Sequence, residues 1–425
     1  MSVEIIKNEV CNEECHIYTH KSGAKIYVIP KPEFSSASAY FGTKYGSIDT
    51  TFKTDDMTDF LTVPEGIAHY LEHKLFENEE CDAFERFSKT GAYANAYTSF
   101  DSTCYLFNCS SNFEESFRIL LDFVQDPYFT EETVAKEQGI IGQEINMYDD
   151  DPNWSVLFNL LKAMYHNHPV KIDIAGTVES IAKITPELLY QCYNTFYNLN
   201  NMFICVAGNV EPKRVFEICD EMLKDTKPVN ITRADVVEPY EIVEKSVVHN
   251  LPVAMPLFTI GYKEKCETAE KSLKERMCAS FVTKILLGND SMLYKKLFDD
   301  DLINDGFYTE CFNGHWHSAT LIEGESKDPY KVKEIIDEHI KQAKIDGLDK
   351  DAFERCKKAS LGSLVSAFDE PSGIPRMMID AAMSNEGVFD SIDIAKSITY
   401  EDVMNRFKEM FDIDNSSISV VKNKD

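Results

Sequence analysis

The sequence predicts an α+β fold made of two homologous halves, each an antiparallel-rich sheet packed against helices. The chain has 425 residues, too many for one ordinary domain, which leaves two domains or one duplicated unit. In the first half, strand-like segments precede helical ones and an apolar strand comes last, an order typical of α+β layers. Segments 184–209 and 398–423 align with each other without a gap. This favours a duplication over a coincidence between two ordinary helix–strand units.

Hydrophobic periodicity predicts the elements of the first half in order. Segments 24–30 and 38–47 alternate as strands do. Segments 65–77 and 129–148 have helical spacing, and segment 91–109 is typical of a pair of strands. Each copy of the repeat then predicts a Thr-capped helix with an acidic first turn, an Asn turn and an apolar strand.

Domain boundaries follow from the duplication. A segment rich in Pro and charge, 225–245, lacks helical periodicity and is typical of a linker that enters a strand. We therefore expect one half over residues 1–232 and the homologous half over residues 241–425.

Charge and composition exclude several classes of protein. The 43 basic and 72 acidic residues give a net charge of −29, which argues against binding to nucleic acid or to an anionic membrane surface. No apolar stretch approaches the roughly 20 residues of a membrane-spanning helix. Glu4 and Glu9 occupy the place where a signal peptide would need apolar residues. We expect a cytoplasmic protein with reduced cysteines.

The segment from His69 to His73 carries the chemistry. On a helix, positions i and i+4 share one face, so both imidazoles can reach a single metal ion, with Glu72 beside them to act on a metal-activated water. This is the H-x-x-E-H order of the inverted zincins. Chance predicts on the order of 0.02 such matches in a chain of this composition. The alternative is a helix with two surface histidines. This helix has an apolar stripe, so its burial does not require a metal.

A third ligand is predicted on the helix that covers 129–148. Glu137 and Glu144 are separated by two helical turns and therefore share a face. Either carboxylate would complete a His2Glu set that leaves a position for water, and the other would then support a ligand. Two Glu residues on a helix more often form a solvated face.

Two further His-x-His pairs, 166–168 and 315–317, could bind metal if they lie on strands. We expect each to be a pair of exposed imidazoles.

The chain resembles the pitrilysin/insulinase family of inverzincin metallopeptidases, which includes the mitochondrial processing peptidases. The resemblance is carried by ordered motifs along nearly the whole chain, namely HYLEH (69–73), G-x-x-x-NAYTS (91–99), E-x6-E (137–144), NHPVKIDIAGTVESI (167–181) and YNLNNMFICVAGNV (197–210). Within that family, the chain most resembles the two-domain bacterial branch.

The resemblance implies a role for each matching residue. His69, His73 and Glu144 are then the ligands of one Zn²⁺ ion per chain, and Glu72 is the general base of a peptide hydrolysis. Glu137 matches the supporting acid of the family. Asn95 and Ala96 match the strand that pairs with an extended substrate. The chain is thus expected to be a zinc metalloendopeptidase that acts on peptides or unstructured protein segments.

The second half carries no H-x-x-E-H, and the segment that would match it, 278–290, has lost every ligand. Larger family members supply an Arg and a Tyr from this half. Segment 317–330 lacks the Arg and leaves Tyr330 as the candidate for substrate binding. A rival interpretation is therefore a non-catalytic or weakly active subunit that serves as a partner or scaffold. A structural metalloprotein is a second rival. The resemblance to the bacterial branch implies a dimer, either a homodimer or a heterodimer with a degenerate paralogue.

Overall fold

The computed structural model describes residues 2–79, 81–384 and 386–424. Its contacts divide the chain into two compact units. Unit 1 contains Met1–Ile145, Asp173–Ala234 and Ser363–Asp390, and unit 2 contains Asn146–Ile172, Asp235–Gly362 and Ser391–Asp425.

The strands are β1 (Val3–Asn8), β2 (Glu13–Thr19), β3 (Lys25–Pro30), β4 (Ala37–Thr43), β5 (Thr51–Thr54), β6 (Leu61–Thr62), β7 (Tyr93–Thr98), β8 (Thr103–Cys109), β9 (Met202–Gly208), β10 (Ile231–Arg233), β11 (Ser246–Asn250), β12 (Leu257–Lys263), β13 (Tyr308–Gly314), β14 (His317–Glu325) and β15 (Ser416–Lys422).

The helices are α1 (Ile67–Phe76), α2 (Ala83–Thr90), α3 (Phe113–Val124), α4 (Glu131–Asp149), α5 (Pro152–Met164), α6 (Val178–Ile181), α7 (Pro186–Phe196), α8 (Pro212–Met222), α9 (Leu273–Leu287), α10 (Met292–Asp299), α11 (Pro329–Asp346), α12 (Lys350–Ser366), α13 (Ile374–Ser384), α14 (Asp390–Ser397) and α15 (Tyr400–Glu409). Short 3-10 helices cover Pro169–Lys171, Leu199–Asn201 and Ala367–Asp369.

The main sheets of the two units repeat one topology. In unit 1 the strand order is β1-β2-β3-β9-β4-β8-β7, and in unit 2 it is β11-β15-β12-β14-β13. β3 runs parallel to β9, as β11 does to β15, and the pairs that follow toward β7 and toward β13 are antiparallel. Five strands of unit 1, β3, β9, β4, β8 and β7, thus have counterparts in the same order in unit 2. The predicted α+β class with two antiparallel-rich halves is confirmed.

The repeated segment folds the same way in both places. When 184–209 is aligned on 398–423, β9 and β15 begin and end at matching positions, and α7 and α15 begin at matching positions. Thr185 accepts a hydrogen bond from the backbone N–H of Leu188, and Thr399 accepts one from that of Asp402. The predicted Thr-capped helix followed by an apolar strand is therefore present in each copy.

Each unit also contains a helix from the other half of the chain. In unit 2, α5 packs on β11, β12 and β15, and in unit 1, α13 packs on β3, β4 and β9. The compact units are therefore not contiguous stretches of chain. The boundaries 1–232 and 241–425 describe the duplication and stay a prediction.

The predicted linker 225–245 includes a short strand. β10 pairs antiparallel with β5, which pairs with β6 in a small second sheet of unit 1. Tertiary pairing rather than local periodicity creates this strand, which explains why the sequence pattern did not predict it.

The core of unit 1 determines where α1 lies. One face of its sheet carries the fully buried side chains of Phe41, Tyr105, Phe107, Ile204 and Val206. Helix α3 packs on this part of the sheet, and α1 packs against α3 and the β7–β8 hairpin. Helix α1 therefore lies at the β7 edge of the sheet. No helix among the residues that the structure describes is long and apolar enough to cross a membrane.

Candidate metal centre

Two left-handed glycines fix the start of α1. Gly66, the N-cap, has φ of +86°, and a Cβ atom on it would lie 2.3 Å from the carbonyl oxygen of Ala175. Gly176 has φ of +76°, and its Cβ would lie 2.6 Å from the carbonyl oxygen of Glu65. Ser180 donates a hydrogen bond of 2.9 Å to that same oxygen. Because only glycine fits both positions, the backbones approach closely enough to set the direction in which α1 leaves the loop.

A tyrosine joins α1 to α4. Tyr70 is fully buried, and its hydroxyl donates a hydrogen bond of 2.5 Å to the carbonyl oxygen of Val134. This bond lies one turn before Glu137 on α4, so it fixes the carboxylates of α4 relative to the histidines of α1.

Three potential ligands converge between these helices. Ligand atoms of His69, His73 and Glu144 all lie within 4.8 Å of one another, and among the described residues this is the one such group of three or more. Nε2 of His69 lies 3.7 Å from Oε1 of Glu144, and Nε2 of His73 lies 3.3 Å from its Oε2. The two imidazole rings are 4.6 Å apart between centroids. The structure thus brings together the three residues predicted as ligands.

Glu137 contacts the far side of one of these imidazoles. Its Oε1 lies 3.1 Å from Nδ1 of His73, whose Nε2 faces Glu144. Glu137 is 8% exposed, so it is the more buried of the two carboxylates on this face of α4. Of the two arrangements left open by the sequence, the geometry favours Glu144 as a ligand and Glu137 as the support of His73.

The electrostatic field of the site is suited to a cation. Burial lowers the pKa of His69 to about 4, and the neighbouring His73 contributes to this lowering, so the His69 imidazole is neutral at pH 7. Burial also acts to lower the pKa of His73, but its hydrogen bonds to Glu137 and Glu144 outweigh this and raise it to about 10. The carboxylates thus hold positive charge at the position of His73.

Glu72 lies on α1, and its hydrogen-bond partner is on β7. It is 9% exposed, and Thr98 donates a hydrogen bond of 2.5 Å to its Oε2. Burial raises the pKa of Glu72, although the hydrogen bond from Thr98 and the charge of His73 oppose the effect. A carboxylate with a raised pKa is a suitable proton acceptor and donor near neutral pH.

The residues predicted to bind substrate fall in two places. Asn95 and Ala96 lie in β7, the edge strand of the sheet in unit 1. The backbone N–H of Ala96 donates to Oδ1 of Asn95 at 2.9 Å. Tyr330 lies in unit 2, at the start of α11, where its hydroxyl is 2.9 Å from that of Ser246.

The expectation of exposed imidazoles in the His-x-His pairs is wrong for one member of each pair. His168 and His317 are 2% and 3% exposed, and their rings are 5.0 Å apart between centroids. Nδ1 of His168 accepts from the backbone N–H of Val170, so its Nε2 donates to the carbonyl oxygen of His315 at 2.8 Å. The two rings are packed rather than solvated, because aromatic side chains surround them.

Sequence reasoning assigned no role to three residues that shape this site, Gly66, Tyr70 and Thr98. Thr98 stands inside the motif at 91–99, which is the signal that could have singled it out. The partners of Gly66 and Tyr70 are distant in the sequence, at Ala175 and Val134, and no local pattern predicts them.

The donor set fits zinc. Two imidazoles and one carboxylate are the ligands of many catalytic zinc sites, and a second carboxylate bonded to the far nitrogen of a ligand histidine orients its ring. The neutral imidazole of His69 offers its lone pair without losing a proton.

This arrangement of fold and residues is that of an inverzincin peptidase, and comparison with known families agrees. Residues 63–178 match the family described as "Insulinase (Peptidase family M16)", and residues 183–360 match "Peptidase M16 inactive domain". The chain belongs to the insulinase family of peptidases, as the motifs predicted.

Two similar proteins match nearly the whole length of the chain, and a third matches about half of it. It is 37% identical over 425 residues to a protein of Bacillus subtilis named "Uncharacterized zinc protease YmfH", covering 99% of both chains. A crystal structure of a putative M16-like peptidase from Alicyclobacillus acidocaldarius superposes with a TM-score of 0.92 at 33% identity, covering 97% of this chain and 99% of that one. Part of the chain is 27% identical over 215 residues to a probable mitochondrial-processing peptidase subunit beta of Schizosaccharomyces pombe, covering 49% and 45% of the two chains.

Proposed function

We propose that this chain is a zinc-dependent endopeptidase that hydrolyses peptides or unstructured protein segments. The observation that carries the proposal is the convergence of His69, His73 and Glu144, whose ligand atoms lie within 4.8 Å of one another, beside the buried carboxylate of Glu72. Family membership and relatives named as zinc proteases support it.

His69, His73 and Glu144 would hold one Zn²⁺ ion, with Glu137 accepting the Nδ1 proton of His73. When bound, zinc supplies Lewis-acid chemistry, which polarises a carbonyl and lowers the pKa of water. Because Glu137 and Glu144 raise the pKa of His73 to about 10, a proton and Zn²⁺ would compete for this imidazole.

Glu72 is the proposed general base and acid. Its Oε2 is engaged by Thr98, and among the described residues no hydrogen bond is formed to its Oε1. That oxygen can take a proton from the attacking water and return it to the departing amine. The raised pKa of Glu72 suits both steps, because the group must be able to hold the proton between them.

The edge strand β7 is the proposed place for the substrate backbone. An extended peptide that pairs with β7 gains main-chain hydrogen bonds with little dependence on sequence. A peptide carbonyl would replace Oδ1 of Asn95 as the acceptor for the N–H of Ala96, so Asn95 must turn aside when substrate binds. Tyr330 is the candidate for substrate binding from the second half.

Bound zinc and cleavage of an internally quenched peptide, measured together, test the proposal. We expect Glu72→Gln to keep its zinc and lose cleavage, and His73→Ala to lose both. Glu132→Gln changes an exposed carboxylate at the start of α4 and serves as the matched control, with both properties retained. Undiminished cleavage by Glu72→Gln would overturn the mechanism.

The second candidate is a non-catalytic subunit, which the absence of an Arg from segment 317–330 of the second half favours. A native chain that binds zinc and cleaves no peptide would support this role. Cleavage that then appears on adding a paralogous chain would identify a heterodimer, whereas self-association of the active native chain would indicate a homodimer. Location in the cytoplasm stays a prediction.

A further inference from the structure

A hydroxyl on the edge strand holds the carboxylate of Glu72. Thr98 is the last residue of β7, and its Oγ1 donates a hydrogen bond of 2.5 Å to Oε2 of Glu72. An ionised carboxylate can only accept, so the proton in this bond belongs to Thr98. The bond is charge-assisted and lies in a site where Glu72 is 9% exposed, conditions under which such bonds are strongest.

The strand end that carries Thr98 is itself anchored. Thr98 pairs with Thr103 in the β7–β8 hairpin, and Thr103 is fully buried and donates a hydrogen bond of 2.9 Å to the carbonyl oxygen of Tyr45. The hydroxyl of Thr98 is therefore presented from a fixed backbone position rather than from a free loop.

The bond determines which oxygen of Glu72 is available. The last torsion of a glutamate side chain is broad and nearly two-fold, so an unrestrained carboxylate samples many orientations. With Oε2 held by Thr98, the plane of the carboxylate is fixed and Oε1 is the oxygen left to exchange protons. A general base must lie within hydrogen-bond reach of the proton it removes, so a fixed orientation raises the fraction of productive geometries.

We propose that Thr98 is a positioning residue that orients Glu72 for proton transfer and links that orientation to the substrate strand. The inference rests on the proposed peptidase function. Because Thr98 ends the strand on which the substrate is proposed to pair, one backbone segment fixes both the register of the peptide and the direction of the base. The hydroxyl of Thr98 acts on Glu72 rather than on the metal ligands, so its loss should affect turnover rather than binding.

Steady-state kinetics and bound zinc in Thr98→Val and Thr98→Ser test the proposal. We expect Thr98→Val to bind zinc like the native chain, to keep KM within about twofold, and to lose roughly tenfold to a hundredfold in kcat, part of the usual general-base contribution. Thr98→Ser retains the hydroxyl and should recover kcat to within about threefold of the native value. Thr51→Val removes another strand hydroxyl of unit 1, one bonded to Thr62, and should leave all three quantities unchanged.

Crystal structures of the same zinc-loaded chains give a readout that does not depend on activity. The carboxylate of Glu72 should keep one orientation in the native chain and in Thr98→Ser, and should turn in Thr98→Val. If the native chain cleaves no peptide, the proposed function fails while this comparison still decides the role of Thr98. An unturned carboxylate in Thr98→Val, full kcat in that variant, or failure of Thr98→Ser to recover kcat would each overturn the proposal.

Discussion

Nδ1 of His73 lies 3.1 Å from Oε1 of Glu137, a residue on a different helix. The contact fixes the ring of His73 and leaves Nε2 to face Glu144 at 3.3 Å. A carboxylate in this position accepts the proton on the far nitrogen of a ligand histidine and makes the other nitrogen a better donor to a metal.

Replacing Glu137 should therefore weaken zinc binding without removing a ligand. We expect Glu137→Gln to reduce zinc affinity by about 10- to 100-fold, the usual effect of losing such a partner. Glu144→Gln should reduce it further because it removes a proposed ligand. Competition with a chromophoric chelator measures both affinities, and Glu132→Gln provides the control. Equal affinity in native chain and Glu137→Gln would show that the contact with His73 does not support the metal.

The proximity of His69 and His73 could be predicted from sequence because its geometry is local. Positions i and i+4 on a helix share a face, so His69 and His73 followed from spacing alone. The same rule put Glu137 and Glu144 on one face of α4 but could not say which would meet the histidines. That choice depends on the packing of α4 on α1, through Tyr70 among others, and no periodicity encodes it.

Gly66 should be needed for the position of α1. Gly66→Ala adds a Cβ 2.3 Å from the carbonyl oxygen of Ala175 at a residue whose φ is +86°, so it combines backbone strain with a clash. Gly91→Ala is the matched control, because φ there is +78° but nothing lies within 4 Å of the new Cβ. We expect Gly91→Ala to lower the free energy of unfolding by about 1 to 2 kcal/mol. Gly66→Ala should lower it clearly more, as measured by urea denaturation, and should also reduce the amount of bound zinc. Equal costs for the two variants would contradict the close approach.

The exchange of helices between the units could not be predicted from the sequence, for a related reason. α5 and α13 each have ordinary helical sequences, and nothing local says which sheet each one covers. Topology decides this, so the repeat predicted two halves correctly while the compact units turned out to be discontinuous. The buried state of His168 and His317 depends on the same tertiary packing.

Unit 2 should lose stability in mild acid. Burial lowers the pKa of His168 to about 4 and that of His317 to about 3, well below the ordinary value of 6.5. The unfolded chain therefore takes up protons first as the pH falls below 6.5, and stability declines from there to about pH 3. The loss is about 1.4 kcal/mol for each tenfold difference in proton affinity between the folded and unfolded states.

Urea denaturation of the native chain and His317→Phe at pH 8 and pH 5 measures this effect. His317→Phe should show a smaller drop in midpoint between the two pH values. His315→Asn replaces an imidazole whose side chain is 43% exposed. Its urea midpoint should fall between pH 8 and pH 5 by as much as that of the native chain. An identical drop in native chain and His317→Phe would mean that this histidine does not cause the acid sensitivity.

A buried ion pair in unit 2 gives a fourth prediction. Nζ of Lys263 lies 2.7 Å from Oε1 of Glu238, with the side chains 3% and 9% exposed. Glu238 also accepts hydrogen bonds from the backbone N–H groups of His166 and His168. Lys263→Met leaves this carboxylate buried without its cation and should destabilise the chain by about 3 to 5 kcal/mol.

The double variant Lys263→Met/Glu238→Gln should cost less than the sum of the single variants, because it leaves no uncompensated charge. Chemical denaturation of all four chains gives the coupling free energy. Strict additivity would show that the two groups do not depend on each other.

The net charge of −29 predicts a preference among substrates. A negative protein attracts basic peptides at a distance, so kcat/KM for Lys- and Arg-rich peptides should exceed that for the same peptides with Gln in place of the basic residues. Raising the ionic strength from about 0.01 M to 0.15 M shortens the screening length from about 30 Å to about 8 Å and should reduce kcat/KM for the basic peptides. The Gln peptides serve as the control and should change little. If both sets respond equally to salt, the charge does not steer substrates, and the proposed peptidase activity is unaffected by that result.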